Sequence, residues 1–269
     1  MAETIVMIHG MWGGAWNWEN YKNYLEQRGF QCHTPTLRYH DMDPKEKPDL
    51  RLGTTSLLDY ARDLEEYIRN LDQKPFLMGH SMGGLIGQIL GARGLAKGLV
   101  LLTPASPRGI NALNYSVIKS FWSVLTRWGF WRKPHRLSLE ASVYSMLHLL
   151  SAEDQKAVYE RFVYESGRAA AEIGFWLFDS QSASKVDTSN VSCPVLVVAG
   201  AEDRITPASV VRKVANKYQA VSTFKELENP AHWVIMEPGW QEIVEFAADW
   251  LNRVSAGELC GDATGSYGG

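Results

Sequence analysis

Short apolar runs alternate with longer segments of mixed polarity along most of the chain. Six runs rich in β-branched residues predict strands near 4–9, 31–36, 75–80, 98–103, 194–199 and 221–227. Between them, helical spacing of apolar residues predicts helices over 17–28, 55–71, 83–93, 207–218 and 238–253. Strands separated by helices are typical of an α/β fold, in which helices cover both faces of a mostly parallel central sheet.

One long segment interrupts this alternation. The residues between Thr103 and Pro194 have helical periodicity and contain no convincing strand, so we interpret 105–185 as an inserted helical cap. The core domain then consists of 1–104 and 186–254, and the small polar residues 255–269 predict a flexible tail. The cap segment is rich in aromatic side chains, which either form its own core or cover a substrate pocket.

Composition places the chain among ordinary globular proteins, because 45% of its 269 residues are hydrophobic and 21% are charged. The net charge of −3 gives no general attraction to nucleic acid or to anionic membranes, so a small molecule is the expected partner. No apolar stretch approaches the ~20 residues that span a bilayer, so no stable membrane insertion is expected. The start of the chain lacks a basic signal-like region, which predicts a cytoplasmic location. The oligomeric state stays open.

The cysteines give no sign of a disulfide framework or a metal site. Cys32, Cys193 and Cys260 are odd in number and widely spaced, without a CxxC pair or a cluster of cysteine and histidine. We therefore expect neither a metal nor a cofactor.

Residues 79–83 read GHSMG, which fits the pattern GxSxG, and they lie between a predicted strand and a predicted helix. A serine in such a tight turn has a strained backbone that exposes its hydroxyl, and Gly79 and Gly83 leave room for neighbouring backbone. This context predicts that Ser81 is a nucleophile.

A serine hydroxyl needs a base to accept its proton, and the base needs an acid to orient it. His232 lies in the loop after the strand near 221–227, and Asp203 lies in the loop after the strand near 194–199. Functional groups collect at these carboxyl ends of parallel strands. Ser81, Asp203 and His232 therefore form a candidate catalytic triad, with Glu202 open as an alternative acid.

Four segments together closely resemble the motifs of the α/β-hydrolases of the serine esterase type, and the likeness covers residues 4–253. They are HGMWGG at 9–14, GHSMGG at 79–84, GAEDRITP at 200–207 and AHW at 231–233. The resemblance implies that the backbone amides of Met11 and Met82 form an oxyanion hole, and its GxxDxxxP spacing favours Asp203 as the acid.

Within that family, the short start and the stretch HGMWGGAWNWENYKNYLEQRGF resemble the branch of small methylesterases and hydroxynitrile lyases. The lyases have threonine after the first histidine and lysine beside the catalytic one. Gly10 and Trp233 stand at those places, which disfavours a lyase. Ser81 excludes the aspartate nucleophile of epoxide hydrolases and haloalkane dehalogenases.

The resemblance implies hydrolysis of a small-molecule carboxylic ester with a small to medium apolar or aromatic group. Candidate pocket residues are Trp12, Trp122, Trp176 and Trp233. A carbon–carbon bond hydrolase, a perhydrolase and a slow-turnover ligand receptor of the same fold remain alternatives.

Three further residues near these motifs have structural interpretations. His9 and His80 are expected to brace loops rather than transfer protons, and Glu237 is interpreted as a helix N-terminal residue that suits the helix dipole.

Four cations lie among the aromatic residues of the cap segment, at Arg127, Arg132, Lys133 and Arg136. We interpret this cluster as a solvated surface, and binding of an interface or of an anionic substrate is the minor alternative.

Overall fold

The computed structural model describes residues 2–112, 114–219 and 221–259. Its strands are β1 (Thr4–Ile8), β2 (Gln31–His33), β3 (Phe76–His80), β4 (Gly98–Leu102), β5 (Pro134–His135), β6 (Glu165–Ser166), β7 (Val195–Gly200) and β8 (Ser222–Leu227). Its α-helices are α1 (Glu19–Gln27), α2 (Leu57–Arg69), α3 (Met82–Ala92), α4 (Tyr115–Leu125), α5 (Leu139–Ser142), α6 (Ala152–Glu160), α7 (Gly167–Gly174), α8 (Ala208–Asn216) and α9 (Trp240–Ser255).

The central sheet confirms the predicted α/β fold. Six of the described strands lie in the order β2-β1-β3-β4-β7-β8, and every neighbouring pair is parallel. One row of paired residues crosses the sheet from Met7 through Met78 and Val100 to Leu196, and all four are fully buried. The central strands of a parallel sheet covered on both faces have such continuous apolar rows, because neither of their faces meets water.

Local chemistry sets the helix ends. The helix predicted over 55–71 is observed as α2, and it begins after Ser56 because the Ser56 hydroxyl accepts a hydrogen bond from the Leu58 amide. The Asp59 carboxylate accepts one from the Ser56 amide, which completes a capping box. Across the described ranges, no helix combines the length and the apolar composition needed to cross a bilayer.

The segment between β4 and β7 contains α4 to α7, together with a small sheet that the sequence did not predict. β5 and β6 pair antiparallel, with His135 opposite Glu165, so the expectation that this segment has no strand is wrong. Two-residue strands are too short to produce an alternating pattern. The division into core domain and cap at 105 and 185 remains a prediction. Of the predicted tail 255–269, residues 260–269 lie outside the described residues.

A buried ion pair joins this small sheet to the core. Nδ1 of His40 donates to the Arg38 carbonyl at 3.0 Å, and Nε2 lies 3.1 Å from a Glu165 oxygen, an arrangement that suits an imidazolium beside a carboxylate. Burial alone lowers the pKa of His40, but the charge and hydrogen bond of Glu165 outweigh it, and the pKa is raised. Tyr60 also donates to Glu165, at 2.8 Å. The carboxylate is therefore fully paired inside the protein.

A second buried carboxylate joins α7 to the start of α2. Glu172 accepts hydrogen bonds from the Ser56 hydroxyl and the Leu57 amide, each at 2.8 Å, and from the Arg168 guanidinium at 2.7 Å. Burial nevertheless raises its pKa. The cap segment thus packs on the core through polar groups as well as apolar ones.

We expect Glu165→Ala to lower the free energy of unfolding by about 3–5 kcal/mol, because it leaves the His40 charge buried without its partner. Urea unfolding followed by tryptophan fluorescence measures the change. Glu160→Ala, at the exposed end of α6, is the matched control and should stay within about 0.5 kcal/mol of the wild type. Equal stability of the two variants would show that the pair does not stabilise the fold.

Candidate active site

Ser81 occupies the sharp turn between β3 and α3. Its backbone has φ 54° and ψ −120°, a region that costs a non-glycine residue about 1–3 kcal/mol. Neighbouring backbone fixes this conformation, since the Ser81 amide donates to the Leu102 carbonyl at 3.1 Å and its carbonyl accepts from the Ala105 amide at 2.9 Å. The turn therefore holds the Ser81 side chain at the carboxyl edge of the sheet.

The glycines on either side of Ser81 permit close contact between α3 and the sheet. A Cβ atom on Gly83 would lie 2.0 Å from the Ile8 carbonyl oxygen, and one on Gly79 would lie 2.4 Å from the Gly83 carbonyl oxygen. Real Cβ atoms do not approach backbone so closely, so any side chain here would push the helix away from β1 and β3.

The three predicted triad side chains meet at this edge. Oγ of Ser81 lies 3.0 Å from Nε2 of His232, and Nδ1 of His232 lies 2.8 Å from Oδ2 of Asp203. All three residues are buried. Each distance is within hydrogen-bond range, which is the geometry that a nucleophile, a base and an orienting acid require.

Asp203 is fixed by more than the histidine. Its Oδ1 accepts from the amides of Ile205 and Thr206, both at 2.8 Å, and its Oδ2 accepts from the Thr206 hydroxyl at 2.7 Å. Burial raises the pKa of Asp203, but the opposing effects of His232 and Thr206 are larger together, so the net shift of the pKa is downward. The neighbouring Glu202 is exposed, so the structure places Asp203 and not Glu202 against the ring.

Two further histidines hold backbone near the site. His80 donates from Nε2 to the His232 carbonyl at 2.8 Å, and Nε2 of His9 accepts from the Leu37 amide at 3.1 Å. Burial, with a smaller contribution from a neighbouring histidine in each case, lowers the pKa of both rings to about 3. Both are therefore neutral at physiological pH and brace loops.

Glu237 has a role that sequence reasoning missed. Its two oxygens accept hydrogen bonds from the amides of Ala231 and Trp233, at 2.7 Å and 2.9 Å, so the carboxylate spans the backbone on both sides of His232. The side chain is buried, and α9 begins only at Trp240, so the interpretation of Glu237 as a helix N-terminal residue is wrong. The only signal in the sequence was a glutamate five positions after the histidine.

An apolar cavity of about 80 Å³ adjoins Ser81. Met11 and Met82 line it, and because Met82 begins α3, its amide has no carbonyl partner within the helix. The opposite wall comes from the cap segment and includes Val117, Ile118, Phe121, Phe130, Phe175 and Trp176. The structure therefore brings Ser81, both predicted oxyanion residues and an apolar space together.

Of the four predicted pocket tryptophans, the structure places only Trp176 in this lining. Trp122 is 62% exposed, because α4 turns Phe121 inward instead. Trp12 lies behind Phe121, with ring centroids 5.8 Å apart, and Trp233 is buried against His80 at 5.5 Å. Their assignment to the pocket is therefore corrected, since tryptophan content alone does not fix which side of an element faces a cavity.

Comparison with known protein families gives a match over most of the chain. A family model described as alpha/beta hydrolase fold matches residues 3–238. Among curated proteins, salicylic acid-binding protein 2 of Nicotiana tabacum is 34% identical over 82 residues, covering 30% of each protein. Methylesterase 7 of Arabidopsis thaliana is 31% identical over 86 residues, covering 31% of this chain and 32% of that protein. The alignments thus span about a third of the length of these relatives.

Solved structures agree on the fold. The crystal structure of polyneuridine aldehyde esterase is 19% identical, with a TM-score of 0.69 over 93% of this chain and 100% of that one. The monoacylglycerol lipase of Paleococcus ferrophilus is 22% identical, with a TM-score of 0.66 over 94% of both chains. At such identities the likeness supports the fold alone.

Glu237 gives a prediction about pH and stability. Burial raises its pKa to about 7, from an ordinary value of 4.5, against the opposing effect of the two amides. A carboxyl group whose pKa is higher in the folded state favours folding when protonated, so this contribution is lost as the pH rises from 4.5 to 7. The free energy of unfolding of the wild type, relative to that of Glu237→Gln, should therefore fall by a few kcal/mol across this range, at about 1.4 kcal/mol per pKa unit.

Urea unfolding of both proteins at several pH values measures this difference. Glu242→Gln, exposed in the first turn of α9, is the matched control, and the difference for Glu237→Gln should change by more over the same range than the difference for Glu242→Gln. A pH-independent difference for Glu237→Gln would contradict the raised pKa.

Proposed function

The chain belongs to the α/β-hydrolase fold family, and we propose that it is a serine hydrolase that cleaves carboxylic esters of small to medium apolar or aromatic substrates. The observation that carries this proposal is the pair of hydrogen bonds that joins Ser81 to His232 and His232 to Asp203, with Ser81 lining an apolar cavity. Relatives named methylesterase and esterase support an ester as the substrate.

The proposed reaction begins when His232 accepts the Ser81 proton and Oγ attacks the ester carbonyl carbon. The carbonyl oxygen becomes negative and faces the amides of Met11 and Met82. Donors fixed in advance stabilise a charge that appears only in the transition state, and losing one costs about 3 kcal/mol. The imidazolium is stabilised by Asp203, which remains a carboxylate because its pKa is lowered.

The second half regenerates the enzyme. The imidazolium gives its proton to the departing alkoxide, so an alcohol leaves and the acyl group stays on Ser81 as an ester. Water then attacks that ester, His232 takes a proton from the water, and His232 passes this proton to Ser81 as the bond between Ser81 and the acyl group breaks and the carboxylic acid leaves. Atoms balance as one ester and one water converted to one acid and one alcohol.

The decisive test of the nucleophile is Ser81→Ala. We expect turnover of p-nitrophenyl acetate and butyrate to fall by about a millionfold, because the remaining groups cannot form the acyl-enzyme. Ser106→Ala is the matched control, since Ser106 is a buried serine that lines the same cavity. It should keep most of the wild-type rate.

Two outcomes would contradict the proposal. Equal rates for the wild type and Ser81→Ala would exclude esterase activity through this serine. Saturable binding of a small aromatic acid with turnover no faster than Ser81→Ala would instead favour a ligand-binding protein, as the name of the tobacco relative suggests for that protein.

The acyl preference can be tested at Phe175. This ring lines both the cavity at Ser81 and a larger neighbouring cavity of about 600 Å³, which also contains Phe130 and Phe178. Phe175→Ala should join the two spaces, because Phe175 and Phe130 stand between them with ring centroids 5.9 Å apart. We expect the ratio of kcat/KM for p-nitrophenyl octanoate over acetate to rise by roughly tenfold.

Trp122→Ala is the control for this measurement. Trp122 also belongs to the cap segment but lies outside the lining, so its removal should leave the ratio unchanged. An unchanged ratio in Phe175→Ala would show that this ring does not limit the acyl chain.

A further inference from the structure

The outer face of the cap segment exposes an unusual number of large apolar side chains. Trp128 is 86% exposed and Phe178 is 87% exposed, far more than a folded protein normally allows for rings of this size. We call these exposed residues the outer cap surface: Tyr115, Ile118, Trp122, Trp128, Trp131, Leu177 and Phe178.

These side chains form two groups that border neighbouring cavities, and both cavities share Phe130 and Phe175 as lining residues. Tyr115, Ile118 and Trp122 follow each other at helical spacing on one side of α4. The rings of Trp128 and Trp131 lie 5.5 Å apart just beyond that helix, and Trp131 and Phe178 line the same cavity. A contiguous exposed apolar surface marks an interaction site more often than scattered residues do.

The charge of this region differs from that of the rest of the chain. Residues 105–139 contain no aspartate or glutamate, whereas the whole chain has a net charge of −3. The same stretch contains six cations, at Arg108, Lys119, Arg127, Arg132, Lys133 and Arg136.

Four of these cations are exposed and lack an acidic partner. Among the ion pairs of the described residues, none includes Lys119, Arg127, Arg132 or Lys133. Asp179, which lines the same cavity as Arg132, accepts hydrogen bonds from amides of its own loop. The exposed rings of the outer cap surface thus lie in a stretch of chain whose four exposed cations form no ion pair with any carboxylate of the described residues.

We propose that the outer cap surface docks on the surface of an anionic lipid bilayer. Tryptophan and phenylalanine enter the interface between headgroups and acyl chains, while lysine and arginine contact anionic headgroups. Ile118 belongs both to this surface and to the lining of the cavity at Ser81, so a docked protein presents its cavity to the lipid. The proposal concerns binding and does not depend on the proposed ester hydrolysis.

Vesicle cosedimentation of the full chain at low ionic strength tests this proposal without any activity measurement. The probes are vesicles of phosphatidylcholine alone and vesicles that also contain phosphatidylserine. We expect binding to the anionic vesicles, loss of most of that binding when salt is added, and weak binding to phosphatidylcholine alone.

Two sets of variants separate the charged and apolar contributions. R127Q/R132Q/K133Q should weaken binding to anionic vesicles by more than about tenfold, since each surface cation adds about 1 kcal/mol. K74Q/K213Q/K225Q is the matched control, because it removes the same charge from exposed sites outside the cap segment and should bind within about threefold of the wild type.

W128S/F178S removes two of the exposed rings and should also weaken binding by more than about tenfold. Phe246→Ser, on α9, is its control and should bind like the wild type. Thermal unfolding followed by circular dichroism checks that each variant is folded.

The proposal is overturned if the wild type does not bind anionic vesicles, or if both control variants lose as much binding as the test variants. Sedimentation velocity tests whether a second copy of this chain binds to the outer cap surface instead. If the wild type is a dimer that does not bind vesicles and W128S/F178S is a monomer, the outer cap surface is an interface between copies of this chain.

Discussion

The close contact between α3 and the sheet is the constraint on which the site depends. Gly83 lies so near the end of β1 that no side chain fits, which brings the N-terminus of α3 directly over the sheet. The chain must therefore leave β3 and enter the helix at one residue, and Ser81 takes the strained φ of 54° that this requires. The same contact sets Met82 beside Met11, because both follow strands that are neighbours in the sheet. Strain at the serine is thus a consequence of helix packing, and it recurs wherever a helix starts this close to a strand.

The remaining reactive groups come from loops, which regular hydrogen bonding does not fix. Asp203 follows β7 and His232 follows β8, so each stands at the carboxyl edge of the sheet, as expected for parallel strands. Their positions depend on buried polar atoms instead: Asp203 binds two amides of its own turn, and Glu237 binds amides on both sides of His232. A buried carboxylate that accepts hydrogen bonds from adjacent backbone fixes a loop in the way that a helix cap fixes a helix. Such bracing lets a loop residue keep an orientation within hydrogen-bond range of a partner.

The sequence predicted the core much better than the cap segment, and the reason is physical. Strands buried on both faces have continuous apolar runs, so the sequence predicted the strands of the central sheet and their order along the chain. The motif GHSMG, between a strand and a helix, predicted the turn at Ser81. Glu237 was missed because a carboxylate that binds backbone at short range leaves no periodic pattern. Trp12, Trp122 and Trp233 were assigned to the pocket because they are large and apolar, yet the direction of each ring depends on packing between elements distant in the sequence. Composition reports what a segment contains and not which side faces the core.

The cap segment departs from the usual distribution of polarity on both of its sides. Its inner side places Glu165 and Glu172 in full burial against the core, where each is satisfied by several donors, while its outer side carries exposed rings. A buried carboxylate contributes little net stability but is costly to separate from its partners, so these contacts oppose displacement of the segment from the core. Apolar side chains such as Phe130 and Phe162 are buried on the inner side as usual, so the exposed rings are apolar surface that this packing does not use. A segment attached through directional hydrogen bonds keeps one orientation, and this orientation turns the apolar side outward at the cavity that leads to Ser81.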